Sequence, residues 1–343
     1  MSKFSTAFAS LLLLSSISAF AEDVPPTPDY DDCYYYSFDI WFDPMGVLPC
    51  QMVLEYAEEM AVSAEGTKSV DNFIDPGFSF GFKLGASVES HFPAWTFGIQ
   101  YMWWDKTYKS STKVTGPSDG FVVLQPKIGD TQNVEMIFIN PNESGSVKTS
   151  LEYDYDLLDF YAGWSCCLCN GLEFVPYMGF RAFWYDTYLK ETSADSTGII
   201  YSARGDTSKV SNDFDAYGFM GGVALKWNIG GALHFFGSFG GSFVGGRNRN
   251  KIDLVSTGLS GTNFSLQEEQ CLFVHSLEGK FGLDYSWCWC GLNYLLGVYY
   301  EVTQWNRVLP HPFRQNSTSP GNATLTSNGL FLQSVAGRIG INF

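Results

Sequence analysis

Apolar residues occupy every second position in segment after segment of this chain, and residues 272–287 show the pattern most cleanly. The apolar set there is Leu277, Phe281, Leu283, Tyr285 and Trp287, and the polar set is Glu278, Lys280, Asp284 and Ser286. Because successive side chains of a β-strand point to opposite faces, the pattern predicts a strand with one apolar and one charged face. Such a charged face does not fit a sandwich core, whereas a strand of a membrane barrel turns it toward the lumen.

The hydropathy of the chain excludes a membrane-spanning helix. After residue 21 there is no run of about 18 or more consecutive apolar residues, which is the length that a transmembrane helix requires. A mean hydropathy of -0.04, 17% aromatic residues and 35 glycines suit strands that alternate apolar with polar residues. Composition alone leaves a secreted β-sandwich as an equal alternative.

Short and long connections alternate strictly between the predicted strands. The short ones are residues 89–93, 165–171, 228–231 and 288–291, and the long polar ones are residues 106–148, 187–211, 247–269 and 305–328. Outer-membrane barrels have short periplasmic turns and long extracellular loops, whereas a Greek-key sandwich has no reason to sort its loops in this way. With a first strand at residues 36–42 and a last one from Phe331, we predict an all-β fold, a transmembrane antiparallel β-barrel of about ten strands.

Three segments depart from the simple pattern. Residues 53–61 carry apolar residues at helical spacing, which predicts a short amphipathic helix that either constricts the lumen or caps the loops. The apolar parity of residues 151–164 switches near Leu157-Leu158, which predicts a β-bulge. Residues 121–139 contain two β-prone pieces that either lie in a loop or add two strands.

Both ends of the chain suit export and barrel assembly. The basic Lys3, the apolar run from Ala7 to Leu14 and the sequence Ala19-Phe20-Ala21 predict a signal peptide over residues 1–21 and a barrel over residues 22–343. The aromatic Phe343 resembles the C-terminal signal that the outer-membrane barrel assembly machinery recognises. Without residues 1–21 the formal charge of -16 becomes about -17, which argues against nucleic acid and anionic lipid as partners.

Four segments together carry a resemblance to a known family. They are Asp75 to Phe78 with Gly81-Phe82, Tyr153 to Asp159 followed by Val175 to Arg181, the glycine-rich hairpin Tyr217 to Gly246, and the ending Val335 to Phe343. In this order they resemble the Legionella-type pore-forming major outer membrane protein family, which includes chlamydia-like bacterial members. The resemblance covers nearly all of residues 22–343. It implies a porin of the bacterial outer membrane that allows passive diffusion of small hydrophilic solutes, and it supplies no catalytic residue and no cofactor.

All eight cysteines follow the predicted signal peptide: Cys33, Cys50, Cys166, Cys167, Cys169, Cys271, Cys288 and Cys290. An exported chain can oxidise them, but their spacing does not determine the pairing. The predicted topology places six at the periplasmic end and leaves Cys50 and Cys271 toward the outside. Disulfides within the chain remain open, and so do cross-links to envelope proteins or other copies, resembling the disulfide-linked outer membrane complex of chlamydiae. Cys166 and Cys169 have the spacing of one half of a zinc site, but only one residue separates Cys288 and Cys290. The paired pattern is therefore incomplete, and no metal site is predicted.

Four histidines are available for an enzymatic site: His91, His234, His275 and His311. A hydrolase in the outer membrane would need a histidine placed with carboxylates or a serine. Only His275 and His311 fall where a site could face outward, and no motif surrounds either of them. We therefore predict that the protein is not an enzyme.

Charged residues on the polar strand faces are the candidates for lining a pore: Lys83, Glu173, Arg181, Lys226, Glu278, Lys280, Asp284, Glu301 and Arg338. Parity places Glu152, Asp154 and Asp156 on the same inward face. Because acids exceed bases, we predict a weak preference for cations. Ten strands allow only a narrow channel, so a structural or adhesive surface barrel with a closed lumen remains the alternative.

Overall fold

The computed structural model describes residues 36–49, 54–63, 66–74, 77–91, 94–126, 137–139, 141–169, 171–195, 207–255, 263–310, 314–315, 323–324 and 327–343. The predicted signal peptide and the residues Cys33, Cys50 and His311 lie outside these ranges. Regular structure within the ranges is entirely β. No helix in the described part of the chain is long and apolar enough to cross a membrane.

Ten long strands form a closed antiparallel barrel. In chain order they are β1 Tyr36–Pro49, β2 Ser79–His91, β3 Ala94–Thr115, β4 Ser144–Trp164, β5 Leu172–Asp195, β6 Thr207–Gly230, β7 Leu233–Val255, β8 Asn263–Trp289, β9 Leu292–Pro310 and β10 Ser327–Asn342. Each strand pairs with its neighbours in the chain, and β10 closes the ring on β1, with Asn342 opposite Asp39. The closure pairs both edges of the barrel sheet, and it confirms the prediction of a ten-stranded barrel.

The two ends of the barrel differ in their connections. At one end β2–β3, β6–β7 and β8–β9 are joined by two residues each and β4–β5 by residues 165–171. At the other end residues 50–78, 116–143, 196–206, 256–262 and 311–326 join the remaining pairs, so most of the long connections lie there. The turn between β8 and β9 consists of Cys290 (φ 53°) and Gly291 (φ 81°), both in the left-handed region that a two-residue turn between twisted strands requires. We refer to these as the short-turn end and the long-loop end.

The outer wall carries a band of exposed apolar side chains between two belts of aromatic residues. The belt at the short-turn end contains Trp95, Trp164, Trp227, Trp287 and Trp289. The belt at the long-loop end contains Trp103, Trp184, Tyr217, Phe243 and Phe273. On β6 the belts are ten residues apart, at Tyr217 and Trp227, which is about 33 Å along the strand and about 25 Å along the barrel axis at a tilt of about 40°. This height matches the hydrocarbon thickness that outer-membrane barrels span.

The predicted helix over residues 53–61 is wrong. Residues 54–61 belong to the strand Leu54–Ser63, which pairs with Gly66–Ile74 on one side and Phe121–Pro126 on the other. The strand Ile137–Ile139 completes this four-stranded sheet in the connections at the long-loop end. The described strands of this region, Phe121–Pro126 and Ile137–Ile139, therefore belong to the loop sheet and not to the barrel. Cross-strand hydrogen bonds, which sequence spacing does not report, override the helical periodicity here.

The predicted bulge at Leu157-Leu158 is also wrong. The register of β4 with both β3 and β5 runs without a shift through this point. The apolar parity changes because the surroundings change along the strand. Toward the long-loop end the inward residues Tyr153 and Tyr155 are the buried apolar ones, and toward the short-turn end the outward Phe160 and Trp164 meet lipid.

The strands also continue further than predicted at the long-loop end. β5 and β6 stay paired as far as Thr192 and Thr207, and β7 and β8 as far as Val255 and Asn263. These residues were expected in polar loops. Beyond the aromatic belt the outer face of a strand meets water, so the apolar signal of that face disappears while the hydrogen bonding continues.

Candidate functional site in the barrel lumen

The lumen contains a cavity of about 760 Å³ that reaches from the middle of the barrel toward the short-turn end. All nine residues proposed from sequence as pore-lining contribute to its wall: Lys83, Glu173, Arg181, Lys226, Glu278, Lys280, Asp284, Glu301 and Arg338. Strand alternation brings them to one face, because each is flanked in the chain by outward residues. We call this cavity the vestibule.

A layer of ion pairs forms the inner end of the vestibule. The guanidinium of Arg181 donates to both oxygens of Asp159, from Nε at 2.7 Å and from Nη2 at 2.8 Å, and it also pairs with Glu278 across the lumen. Lys83 of β2 pairs with Glu301 of β9. Partners on non-adjacent strands are thus joined through the lumen, and their charges are compensated locally.

A second charged cluster lies beside this layer. Asp43 is fully buried and accepts hydrogen bonds from Arg338 at 3.0 and 3.1 Å and from the Tyr299 hydroxyl at 2.8 Å. The ammonium of Lys280 lies 3.8 Å from the centroid of the Tyr299 ring and 5.5 Å from that of Phe236. A cation over an aromatic face is attracted by the electron-rich ring.

Aromatic side chains fill the lumen on the long-loop side of the ion pairs. Trp305 of β9 stacks on Phe183 of β5 with a centroid distance of 4.2 Å, and its indole Nε1 donates to the hydroxyl of Tyr155 on β4 at 3.1 Å. Trp104 and Tyr185 surround this contact and are fully buried. β4 and β9 face each other across the ten-stranded ring, so these side chains bridge the lumen. We call Trp104, Tyr155, Phe183, Tyr185 and Trp305 the aromatic layer.

Three acids that parity placed inside lie on the outer face. Tyr153 and Tyr155 point into the lumen, so the alternating residues Glu152, Asp154 and Asp156 point outward. The hydroxyl of Tyr101, which also faces outward, donates a hydrogen bond to Asp156. Sequence reasoning also missed two buried lumen acids. Asp159 was not named among the inward acids, and Asp43 lay beyond the predicted end of the first strand.

The described histidines and cysteines do not assemble a site. His275 faces outward beside Phe243 and contacts the amide of Asn306, and His234 contacts Ser286 near the short-turn end. Cys166, Cys167, Cys271, Cys288 and Cys290 are free thiols. For Cys169 only the backbone is described. No cluster of three or more His, Cys, Asp or Glu residues in the described ranges has a metal-binding arrangement.

A closed antiparallel barrel whose outer wall is apolar between two aromatic belts defines the class of outer-membrane β-barrel proteins. The family model described as the Legionella pneumophila major outer membrane protein precursor matches residues 48–335. The chain therefore belongs to this family, and its location is the bacterial outer membrane. By the usual topology of the class the short turns face the periplasm and the long loops face outward.

Solved structures of other outer-membrane barrels are similar over most of the chain. The outer membrane protease OmpT from Escherichia coli is 11% identical, with 92% of this chain and 98% of that chain covered and a TM-score of 0.36. The toluene transporter TodX from P. putida is also 11% identical, with 92% and 89% covered and a TM-score of 0.33. No curated protein matches the chain.

Proposed function

We propose that this protein forms a narrow pore that lets small hydrophilic solutes cross the outer membrane. The observation that carries the proposal is the vestibule, a cavity of about 760 Å³ inside the barrel wall that is lined by charged side chains. Charged side chains around a cavity of this size favour water inside it, whereas a lumen that served only as packing needs no such cavity. The aromatic layer is the constriction of this pore.

A second candidate function rests on the contacts across the lumen. Trp305, Phe183 and Tyr155 bridge opposite walls, which is also how a structural or adhesive surface barrel would close its interior. The two candidates differ in what they predict for ion flow. A pore conducts through the constriction, and a closed scaffold does not.

Conductance in planar lipid bilayers tests the proposal. The full chain, refolded and inserted, is expected to give discrete current steps that are small compared with those of sixteen-stranded porins, because ten strands enclose a narrower lumen. A matched preparation that was never refolded serves as the control. If the inserted barrel shows no steps at any voltage, the closed scaffold is the better description.

The charge of the vestibule predicts its ion selectivity. Its wall carries the acids Asp39, Glu89, Asp159, Glu173, Glu278, Asp284 and Glu301 and the bases Lys83, Arg181, Lys226, Lys280 and Arg338. The excess of acids leads us to expect a weak preference for cations. Reversal potentials under a salt gradient measure this preference, and clear anion selectivity would reject it.

We also propose two classes of partner for the short-turn end. The strand ending at Phe343 is the segment that barrel assembly machinery would engage. Cys167, Cys288 and Cys290 are exposed thiols at this end, so cross-links to envelope proteins or to a second copy are expected in the oxidising periplasm. Gels of isolated envelopes run with and without reductant test the cross-links. A band of monomer size without reductant would contradict them.

A further inference from the structure

Three lysines form one row across neighbouring strands of the outer wall, near the long-loop end. The register sets Lys109 of β3 opposite Ser150 of β4, Ser150 opposite Lys190 of β5, and Lys190 opposite Lys209 of β6. These lysines are distant in sequence, and only strand pairing aligns them. We call Lys109, Lys190 and Lys209 the lysine row.

The lysine row faces away from the lumen. The residue next to each lysine in the chain belongs to the buried core, namely Tyr108, Leu189 and Val210. Because side chains alternate along a strand, the lysines point outward. Lys109 and Lys190 are exposed, and Lys209 is half-buried.

Acids compensate the charges of the lysine row only in part, because Asp253 of β7 stands opposite Lys209 and Glu152 lies two residues along β4 from Ser150. Among the residues that the structure describes, none of the three lysines forms an ion pair, whereas Lys251 on β7 pairs with Asp253 at 2.7 Å. Hydrogen bonds from Lys251 and Ser265 lower the pKa of Asp253, and the charges of Lys251 and Lys209 lower it further. Lys190 and Lys209 stand directly opposite each other, and like charges in this position are destabilising. An anion bound between them would remove the repulsion.

The lysine row lies at the height of lipid head groups. On β3 and β5 it is six residues beyond Trp103 and Trp184 of the aromatic belt, about 20 Å along the strand and about 15 Å along the barrel axis. Acyl chains end near the belt, so only a large head group reaches this height. A head group made of linked, phosphorylated sugars meets both requirements, since it is extended and anionic.

A row of acids between the belt and the lysine row sets where such a head group can bind. Asp105, Asp154, Asp186 and Asp213 stand opposite one another on β3, β4, β5 and β6, and Arg249 of β7 stands opposite Asp213 at 4.0 Å. Carboxylates repel phosphates. The phosphates are therefore directed four residues further along the strands, to the lysines.

From this arrangement we propose that the lysine row binds the phosphate groups of a phosphorylated glycolipid in the outer leaflet around the barrel. The lysines act as point charges with several hydrogen-bond donors, which suits phosphate oxygens. The site is independent of the lumen and of its conductance.

Binding of a labelled lipopolysaccharide with a phosphorylated inner core tests the proposal on the full chain in detergent. Each lysine near a lipid surface contributes roughly a fivefold gain in affinity. Lys190→Gln is therefore expected to weaken binding about fivefold and Lys190→Gln/Lys209→Gln about 25-fold. Lys68→Gln, an exposed lysine on the loop sheet, removes the same charge as the single variant and is expected to change binding little.

Three further results decide the outcome. The same lipopolysaccharide after dephosphorylation is expected to bind the wild type as weakly as the intact lipid binds the double variant. Equal affinity for the intact and dephosphorylated lipids would overturn the proposal, and so would equal effects of Lys190→Gln and Lys68→Gln. Full competition by inorganic phosphate at equal concentration would overturn it in favour of a free-phosphate site. A difference in gel migration between heated and unheated samples confirms that each variant is folded.

Discussion

Replacement of Arg181 by methionine is expected to lower the free energy of unfolding by about 3–5 kcal/mol, because it leaves buried carboxylates without a counter-ion. The side chains of Arg181 and Asp159 are 2% and 4% exposed, and that of Glu278 is 21% exposed. Methionine keeps much of the apolar volume of arginine but offers no hydrogen-bond donor. Guanidinium unfolding of the barrel in lipid vesicles, followed by tryptophan fluorescence, measures the loss.

Two companion variants separate charge compensation from simple packing. Arg249→Met removes an arginine whose pair with Asp215, at 2.7 Å, lies in a partly exposed position on the outer wall, and it is expected to cost about 1 kcal/mol or less. Combining Arg181→Met with Asp159→Asn and Glu278→Gln removes the unpaired charges and is expected to restore most of the stability. A loss for Arg181→Met no larger than that for Arg249→Met would show that the ion-pair layer does not brace the barrel.

Replacement of Trp305 by alanine is expected to raise the single-channel conductance severalfold and to lower the free energy of unfolding by about 3–5 kcal/mol. Trp305 is fully buried, stacks on Phe183 and donates to Tyr155 across the lumen. Its truncation removes the side chain that bridges the constriction, so the vestibule gains a wider path to the long-loop end. Planar-bilayer recordings measure the conductance.

The matched control is Trp289→Ala. Trp289 lies at the short-turn end of β8 and is 65% exposed, so its removal is expected to leave the conductance unchanged. Trp305→Phe retains a ring for the stack but loses the hydrogen bond to Tyr155, and an intermediate conductance is expected. If Trp305→Ala conducts like the wild type, the aromatic layer is not the constriction.

Local patterns were sufficient for the course of the barrel strands. The alternation of Leu277 to Trp287 with Glu278 to Ser286 reports the two faces of β8 directly, because lipid and lumen select different side chains at every second position. The same argument brought Lys83, Arg181 and Arg338 to one side of the wall, where the structure places them in the vestibule. These predictions need only the geometry of a single strand.

Predictions failed where a residue's surroundings depend on distant parts of the chain. The segment Leu54–Ser63 has helical spacing but pairs with two other strands. Asp154 and Asp156 were assigned inward because the apolar face of β4 changes sides where the strand leaves the membrane and the aromatic layer begins. Sequence periodicity cannot report that change, since it assumes one environment along the whole strand.

The net charge of the chain also does not report where individual charges lie on its surface. A formal charge of -16 argues against an anionic lipid as partner, yet pairing of β3 to β6 gathers three lysines on one patch of the wall. Long-range fields follow the total charge, whereas binding at a surface follows the charges within about a Debye length.

The sequence by itself determined that this chain is an outer-membrane barrel of ten strands, which residues of most strands face lipid, and where the short turns lie. It could do so because alternation and turn chemistry are local properties. Only the tertiary structure decided that Trp305 meets Tyr155, that Arg181 meets Glu278, and that Lys190 stands opposite Lys209. The register between strands and the closure of the ring set these contacts, and both depend on hydrogen bonds between segments far apart in the chain.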